Sequence, residues 1–222
     1  MSAAVLSDRV RFEVSDGVAV LELRHPEKRN AVTGPMWEAI LGHLAAAADR
    51  EDVRVLVVQG SGGAFCAGAD LSSMKHPDSW VSESFRELAI RALKAVAAFP
   101  VPSVALIKGA CIGAGCSLAM ACDLRFACPD AFFAIPAVRH GIVYDTDSIT
   151  RLEALVGPSR AARFLYTADR LKAEEAMAIG LVDECSDEVD RLVATFAEKV
   201  MQGNRSAIAA NRTILRHQSF TA

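Results

Sequence analysis

A glycine-rich turn between an apolar strand and an apolar helix constrains this chain more than any other feature. Gly113-Ala114-Gly115 follows a predicted strand at 103–107 and opens a run of small and apolar residues at 116–122. The first N–H groups of a helix lack intrahelical acceptors and the macrodipole favours negative charge there, so the turn predicts a site for an anion or for an oxygen that becomes one. Glycine also lets another group approach the backbone closely. The alternative is structural, the tight packing of a helix on a sheet.

Predicted strands and helices alternate on both sides of this turn. A hairpin is expected over 9–23 around Asp16-Gly17, and Thr33 is expected to cap the first helix. The later predicted elements are a helix at 34–49, strands at 53–58, 103–107, 124–128 and 132–134, and a helix at 81–99. Strand, strand, helix therefore recurs at least twice, which predicts an α/β fold of stacked ββα units.

The remainder of the chain is predicted to be helical from about residue 147 to its end. Thr146 or Asp147 is expected to cap a helix that Gly157 closes, and Pro158 opens the next one. Further helices are expected at 174–180, 187–202 and 205–217. We therefore predict an α/β core over 1–145 and a C-terminal helical region over 146–222, which form a single functional unit.

Composition and charge exclude several classes of function. Hydrophobic residues make up 52% of the chain and charged residues 23%, with a net charge of −3. This balance favours a globular protein and does not suggest a nucleic-acid partner. The longest apolar stretch, 95–107, is interrupted by Pro100 and Pro102 and is too short to span a membrane. Since the first residues do not resemble a signal peptide, we expect a cytoplasmic protein.

The cysteines and histidines do not form a recognisable metal or disulfide pattern. None of the six cysteines belongs to a C-x-x-C pair, and the five histidines are scattered. Reduced, mostly buried thiols are therefore expected, and no metal site is predicted.

Five segments, in the same order along the chain, carry a resemblance to a known family. They are 25–31 (HPEKRNA), 64–71 (AFCAGADL), 109–123 (GACIGAGCSLAMACD), 131–136 (AFFAIP) and 176–182 (AMAIGLV). Together they span nearly the whole sequence, which resembles the crotonase, or enoyl-CoA hydratase/isomerase, superfamily. The resemblance implies a crotonase-type spiral of repeated ββα units with a C-terminal helical region. It also implies an acyl-CoA thioester substrate, no cofactor other than the coenzyme A of that substrate, and a homotrimer or dimer of trimers.

The same resemblance assigns roles to individual positions. The family's oxyanion hole consists of two backbone N–H groups, which by motif position fall on Ala69 and Ala114. The segments that resemble the coenzyme A site contribute Lys28, Arg29, Ala31, Ala67, Asp70 and Leu71. Lys28 and Arg29 are candidates for contacts with the phosphates, although both also fit solvated surface cations.

The departures from the family pattern concern the reaction itself. Hydratases of this family use two glutamates, whose positions are occupied here by Ser117 and Ala137. Neither side chain can act as a carboxylate base, so ordinary hydration is disfavoured. Asp145 stands where other branches, such as dienoyl-CoA isomerases, carry a functional aspartate, and Tyr144 and His140 lie close to it in sequence. Asp145 also fits a purely structural role as a turn or helix cap.

These observations favour an enoyl-CoA isomerase that moves a proton through Asp145. The first alternative is an atypical hydratase in which Asp145 works with a water on Ser117. The second is a catalytically degenerate protein that binds coenzyme A or serves as an assembly subunit. The family usually has further C-terminal helices that close the acyl pocket, so we expect either a more open pocket or closure by another subunit.

Overall fold

The computed structural model describes residues 7–73 and 83–218. The strands are β1 (Val10–Ser15), β2 (Val18–Leu23), β3 (Val55–Gly60), β4 (Ser103–Ile107), β5 (Ala110–Ile112), β6 (Leu124–Ala127), β7 (Phe132–Ala134), β8 (Leu171–Lys172) and β9 (Glu184–Cys185). The α-helices are α1 (Gly34–Ala47), α2 (Glu83–Ala98), α3 (Ala114–Ala121), α4 (Thr146–Val156), α5 (Pro158–Thr167), α6 (Ala173–Ala178), α7 (Val189–Gln202) and α8 (Arg205–Gln218).

The larger sheet has the strand order β1-β2-β3-β4-β6-β9. β1 and β2 form the predicted antiparallel hairpin, and every later neighbour in this sheet is parallel. The central strands β3 and β4 are buried along their apolar residues, as expected for a parallel sheet that is covered on two faces.

A second, shorter layer completes each turn of the chain. Its regular part is a sheet of order β5-β7-β8. Isolated parallel bridges between Val32 and Ala69, and between Cys66 and Cys111, extend the same layer. Successive turns therefore give one strand to the large sheet and one short extended segment to this layer. The predicted spiral of ββα units is confirmed.

Helix α7 covers the outer face of the large sheet. Its buried residues Val189, Val193 and Ala197 join a cluster with side chains of β3, β4 and β6 such as Val57 and Val104. Each buried valine of this cluster contributes about 1.5–3 kcal/mol relative to exposure. The main core lies on the other face, where α1, α2 and α3 pack.

The structure corrects two details of the sequence-based prediction. β8 and β9 interrupt the region that was expected to be wholly helical, and strands of two residues are too short to show a periodic pattern. The cap of α4 is Asp145 rather than Thr146 or Asp147. The helix predicted at 81–99 is α2, and residues 81 and 82 lie outside the described residues.

The cysteines are free thiols, as predicted, and four of them are buried. Burial raises the pKa of Cys66 to about 12 and that of Cys122 to about 12, which keeps both thiols protonated. Within residues 7–73 and 83–218, no helix is both long enough and apolar enough to cross a membrane.

Candidate active site

A cavity of about 210 Å³ lies where α2, the start of α3 and the segment before α4 meet. Its wall is mainly apolar, and the polar side chains of Ser117, Tyr144 and Asp145 lie close together near the N-terminus of α3. The lining residues are Trp37, Ala67, Gly68, Ala69, Leu71, Phe85, Arg86, Ala89, Ile90, Leu93, Ile112, Gly113, Ala114, Ser117, Pro136, Ala137, His140, Ile142, Val143, Tyr144 and Asp145.

Ala114 is the first residue of α3, and its N–H group is available at the cavity wall. Gly113 forms the N-cap with φ 51°, a left-handed conformation that glycine adopts without a steric penalty. The Gly113 N–H donates to the Ala134 carbonyl at 2.8 Å, which ties the turn to β7. The Ala114 N–H donates to no residue that the structure describes. It is therefore one of the unsatisfied donors of a helix N-terminus.

Ala69 offers a second backbone N–H to the same cavity. The Val32 N–H donates to Gly68 O and the Asp70 N–H donates to Val32 O, both at 2.8 Å. In this parallel bridge the N–H of the intervening residue, Ala69, points away from Val32. As with Ala114, no acceptor for it is present among the described residues.

Gly68 permits the close approach of these two backbone segments. Its φ is 102°, and a Cβ atom at this position would lie 3.1 Å from the Ile112 carbonyl oxygen and 4.0 Å from the Ala114 nitrogen. A side chain would push the loop away from the start of α3. The two alanines that the resemblance assigns to the oxyanion hole thus line one cavity on adjacent segments.

Ser117, Tyr144 and Asp145 are brought together beside this pair of amides. The Ser117 Oγ lies 2.5 Å from the Tyr144 Oη and 3.5 Å from the Asp145 Oδ2. The Tyr144 hydroxyl donates to the Gly113 carbonyl oxygen at 2.8 Å. Sequence reasoning named all three side chains, and the fold connects them in one hydrogen-bonded group.

Asp145 combines the two roles that its sequence context allows. Its Oδ1 accepts the Ser148 N–H at 2.9 Å and thereby caps α4. Its Oδ2 makes only the long contact with Ser117 Oγ among the described residues, and Asp145 is one of the residues that line the cavity. The cap uses one carboxylate oxygen and leaves the other without a strong hydrogen bond among the described residues.

Ala137 and His140 also line the cavity, on the turn that precedes Tyr144. Ala137 supplies only a methyl group, so the position of the second family glutamate is apolar here. The His140 residue is exposed at the cavity margin. Among the described residues that line the cavity, Asp145 is the acidic one.

The segments predicted to hold coenzyme A lie side by side. The Ala67 N–H donates to the Arg29 carbonyl at 2.9 Å, which aligns the two segments. Ala67 and the partly exposed Leu71 line the cavity, whereas Lys28, Arg29, Ala31 and Asp70 do not. Ala31 is buried, and its carbonyl contacts the His25 ring at 2.8 Å, which braces the turn.

Lys28 and Asp70 form an ion pair at the edge of this arrangement. The Lys28 Nζ lies 3.7 Å from Asp70 Oδ1 and donates to Ser72 Oγ at 2.7 Å. Burial alone would raise the pKa of Asp70, but hydrogen bonds from Ser72 and the Lys28 charge hold it below its usual value. The Lys28 side chain is about half exposed beside Asp70.

Sequence reasoning missed the apolar wall that α2 provides. Phe85, Ala89, Ile90 and Leu93 of α2 face the cavity together with Trp37 of α1. Helical periodicity shows that α2 has an apolar face, but the same pattern serves a solid core and a cavity wall. No cluster of three or more potential metal ligands occurs among the described residues.

Comparison with solved structures identifies the fold. A putative enoyl-CoA hydratase/isomerase family protein from Hyphomonas neptunium superposes with a TM-score of 0.90 at 31% identity, over 98% of this chain and 85% of that one. The fold is therefore the crotonase fold.

Comparison of sequences gives the family. The family model described as enoyl-CoA hydratase/isomerase matches residues 13–221. A probable enoyl-CoA hydratase, echA6, of Mycobacterium bovis is 40% identical over 176 residues, 79% of this chain and 70% of that protein. A crotonyl-CoA hydratase of Syntrophomonas wolfei is 32% identical over 208 residues, 92% of this chain and 80% of that protein. The chain belongs to the enoyl-CoA hydratase/isomerase family of enzymes.

Proposed function

We propose that this enzyme isomerises the double bond of an enoyl-CoA thioester. In this proposal the Ala69 and Ala114 N–H groups hold the thioester oxygen, and Asp145 carries the proton. The observation that supports it best is the position of the Asp145 carboxylate in the same cavity wall as the two alanines, with positions 117 and 137 lacking a carboxylate.

The proposed reaction consists of two proton transfers on one face of the substrate. Asp145 Oδ2 takes a proton from C2 of a 3-enoyl thioester, and the electron pair moves through the carbonyl to give a dienolate. Two N–H donors stabilise the negative oxygen, and one donor of this kind is typically worth about 100- to 1,000-fold in rate. The protonated Asp145 then donates to C4, which yields the 2-enoyl thioester and restores the carboxylate.

Hydration is the second candidate, and the names of two relatives favour it. The proteins from M. bovis and S. wolfei are called hydratases. In that reaction Ser117 would hold a water molecule that Asp145 activates for addition to C3. The third candidate is acyl-CoA binding without turnover, which the absence of carboxylates at Ser117 and Ala137 favours.

Assays with three classes of thioester separate these candidates. The wild-type enzyme and Asp145→Asn are assayed with 3-enoyl-, 2-enoyl- and 2,4-dienoyl-CoA. Asparagine caps a helix about as well as aspartate, so this variant removes the charge and retains the fold. We expect conversion of 3-enoyl-CoA to 2-enoyl-CoA, and a loss of about 100- to 10,000-fold in kcat for Asp145→Asn.

The other outcomes are equally informative. Water addition to 2-enoyl-CoA as the main activity would replace isomerisation by hydration. Binding of acyl-CoA without turnover of any of the thioesters would favour the non-catalytic alternative. Unchanged turnover in Asp145→Asn would refute the role of this residue, and Asp147→Asn, which removes an ion pair with Lys94, is the matched control.

The proposal needs no cofactor beyond the coenzyme A of the substrate. We also propose that the protein is a homotrimer or a dimer of trimers and that it is located in the cytoplasm. Light scattering of the purified protein measures the oligomeric state directly.

A further inference from the structure

The peptide between Gly113 and Ala114 carries both a proposed catalytic donor and the acceptor of a tyrosine. Its N–H belongs to Ala114, which lines the cavity and donates to no described residue, and its C=O belongs to Gly113. Because the peptide unit is planar, the direction of the carbonyl fixes the direction of the N–H. The Gly113 oxygen accepts the Tyr144 hydroxyl at 2.8 Å and the Ser117 N–H at 3.1 Å.

Counting protons shows how the hydroxyl groups are arranged. Ser117 and Tyr144 have one hydroxyl proton each, and three oxygen contacts compete for them. If Tyr144 donates to Gly113 O, then Ser117 donates to Tyr144 Oη across the 2.5 Å contact. This assignment places a proton in each of the two short contacts. The 3.5 Å contact between Ser117 Oγ and Asp145 Oδ2 is then the one without a proton.

We propose that Tyr144 is a positioning residue, whose hydroxyl orients and polarises the Gly113–Ala114 peptide so that the Ala114 N–H becomes a stronger oxyanion donor. This inference rests on the proposed role of Ala114 but not on that of Asp145. A donor on the carbonyl oxygen withdraws electrons from the peptide nitrogen, and chains of hydrogen bonds strengthen one another in this way. The chain runs from Ser117 through Tyr144 to the Gly113 carbonyl and ends at the Ala114 N–H.

Two further observations support this role. Burial raises the pKa of Tyr144 well above its usual value, so its hydroxyl remains a donor throughout the physiological range. Gly113 has a positive φ, and the Tyr144 bond helps to hold that conformation at the point where α3 begins.

The test compares Tyr144→Phe with Tyr166→Phe, the substitution of the other tyrosine of the chain. Tyr166 is 76% exposed and does not line the cavity, so it is the matched control. Infrared difference spectra are recorded for hexanoyl-CoA with a ¹³C-labelled thioester carbonyl. This probe binds without undergoing turnover. We expect the carbonyl stretch to move to higher wavenumber in Tyr144→Phe only, with little change in affinity.

The kinetic counterpart in Tyr144→Phe is a fall in kcat of about tenfold with an unchanged KM, which is the size expected for one hydrogen bond.

Incorporation of 3-fluorotyrosine into the Tyr166→Phe protein provides a second test, which retains the hydroxyl group of residue 144. Its more acidic hydroxyl is a better donor and should move the carbonyl stretch to lower wavenumber.

An unchanged carbonyl frequency in both tests would overturn the proposal. A fall in kcat without a spectral change would also overturn it, because Tyr144 would then act by another route. The spectra are repeated in the Asp145→Asn background. A Tyr144 effect there supports the positioning role even if Asp145 proves not to carry the proton.

Discussion

Helix α3 has an aspartate near each end, and the two carboxylates have opposite surroundings. Beyond its C-terminus, Asp123 accepts Arg212 Nε at 2.7 Å and Arg216 Nη2 at 2.6 Å, as well as the backbone and hydroxyl of Ser103. Near its N-terminus, Asp145 accepts one backbone N–H and has a long contact with one serine. A carboxylate surrounded by cations and donors braces the fold, whereas a carboxylate with one oxygen at a cavity can do chemistry.

The charge state of Asp123 follows from its partners. Burial alone would raise the pKa of this carboxyl, but the charges of Arg212 and Arg216 and their hydrogen bonds hold it below its usual value. The two arginines come from α8, so Asp123 ties that helix to the start of β6 and to β4. Asp123 therefore braces the fold at the C-terminal end of α3.

The largest effect expected in this comparison concerns the N-terminal end of α3. Ala114→Pro removes the N–H group, and proline is tolerated at the first position of a helix because that group has no intrahelical partner. We expect kcat to fall by about 100- to 1,000-fold. Ala114→Gly retains the N–H and serves as the control. If Ala114→Pro folds and keeps its kcat, Ala114 is not an oxyanion donor.

At the other end of α3, the expected effect is on stability rather than on catalysis. Asp123→Asn leaves two largely buried guanidinium groups without a counter-charge, which should lower the free energy of unfolding by about 3 kcal/mol. The kcat of the folded variant should stay near that of the wild type. Urea denaturation measures the difference, and Asp52→Asn, in an exposed ion pair, is the control. A stable but inactive Asp123→Asn would contradict the division of roles.

The stability that Asp123 contributes should depend on pH with a defined sign. Its pKa is lower in the folded state than in the unfolded chain, so the stabilisation is present above the unfolded value of about 3.9 and is lost as the pH falls through the folded value. The stability gap between wild type and Asp123→Asn should therefore shrink below about pH 4. A stability difference that grows on acidification would contradict the assignment of the stabilising ion pairs to the Asp123 carboxylate.

The smallest effect is expected at the proposed coenzyme A site. Lys28→Ala should raise the Kd for an acyl-CoA by about fivefold, because it removes an exposed ion pair between Lys28 and a coenzyme A phosphate. The Lys28 side chain is accessible for this contact beside Asp70. The same substitution should not alter binding of a pantetheine thioester, which lacks the nucleotide phosphates. An equal effect on both ligands would indicate that Lys28 shapes the loop instead.

Sequence patterns predicted the fold well where they are local and repeated. The β1–β2 hairpin, the Thr33 cap of α1 and the glycine turn before α3 all depend on residue types at fixed spacing. β9 could not be predicted, because two residues carry no periodicity and the strand exists only through its pairing with β6. The roles proposed for Ala69 and Ala114 came from the family resemblance rather than from the alanines themselves.

The candidate site shows the same division between local and long-range information. Asp145 was recognised, but only the fold shows that it caps α4 and borders the cavity at once. The bond from Tyr144 to Gly113 joins residues far apart in sequence, so no local pattern encodes it. The α2 wall is hidden for a related reason, since an apolar helix face looks the same beside a core and beside a cavity.

The most direct test of the contrast between Asp145 and Asp123 follows one hydrogen through the reaction. A 3-enoyl-CoA with deuterium at C2 is incubated in ordinary water, and the product is analysed for deuterium at C4. We expect wild type and Asp123→Asn to transfer part of the label at similar rates, and Asp145→Asn to form almost no product. Formation of C4-labelled product by Asp145→Asn at the wild-type rate would contradict the assignment of Asp145 as the group that moves the proton.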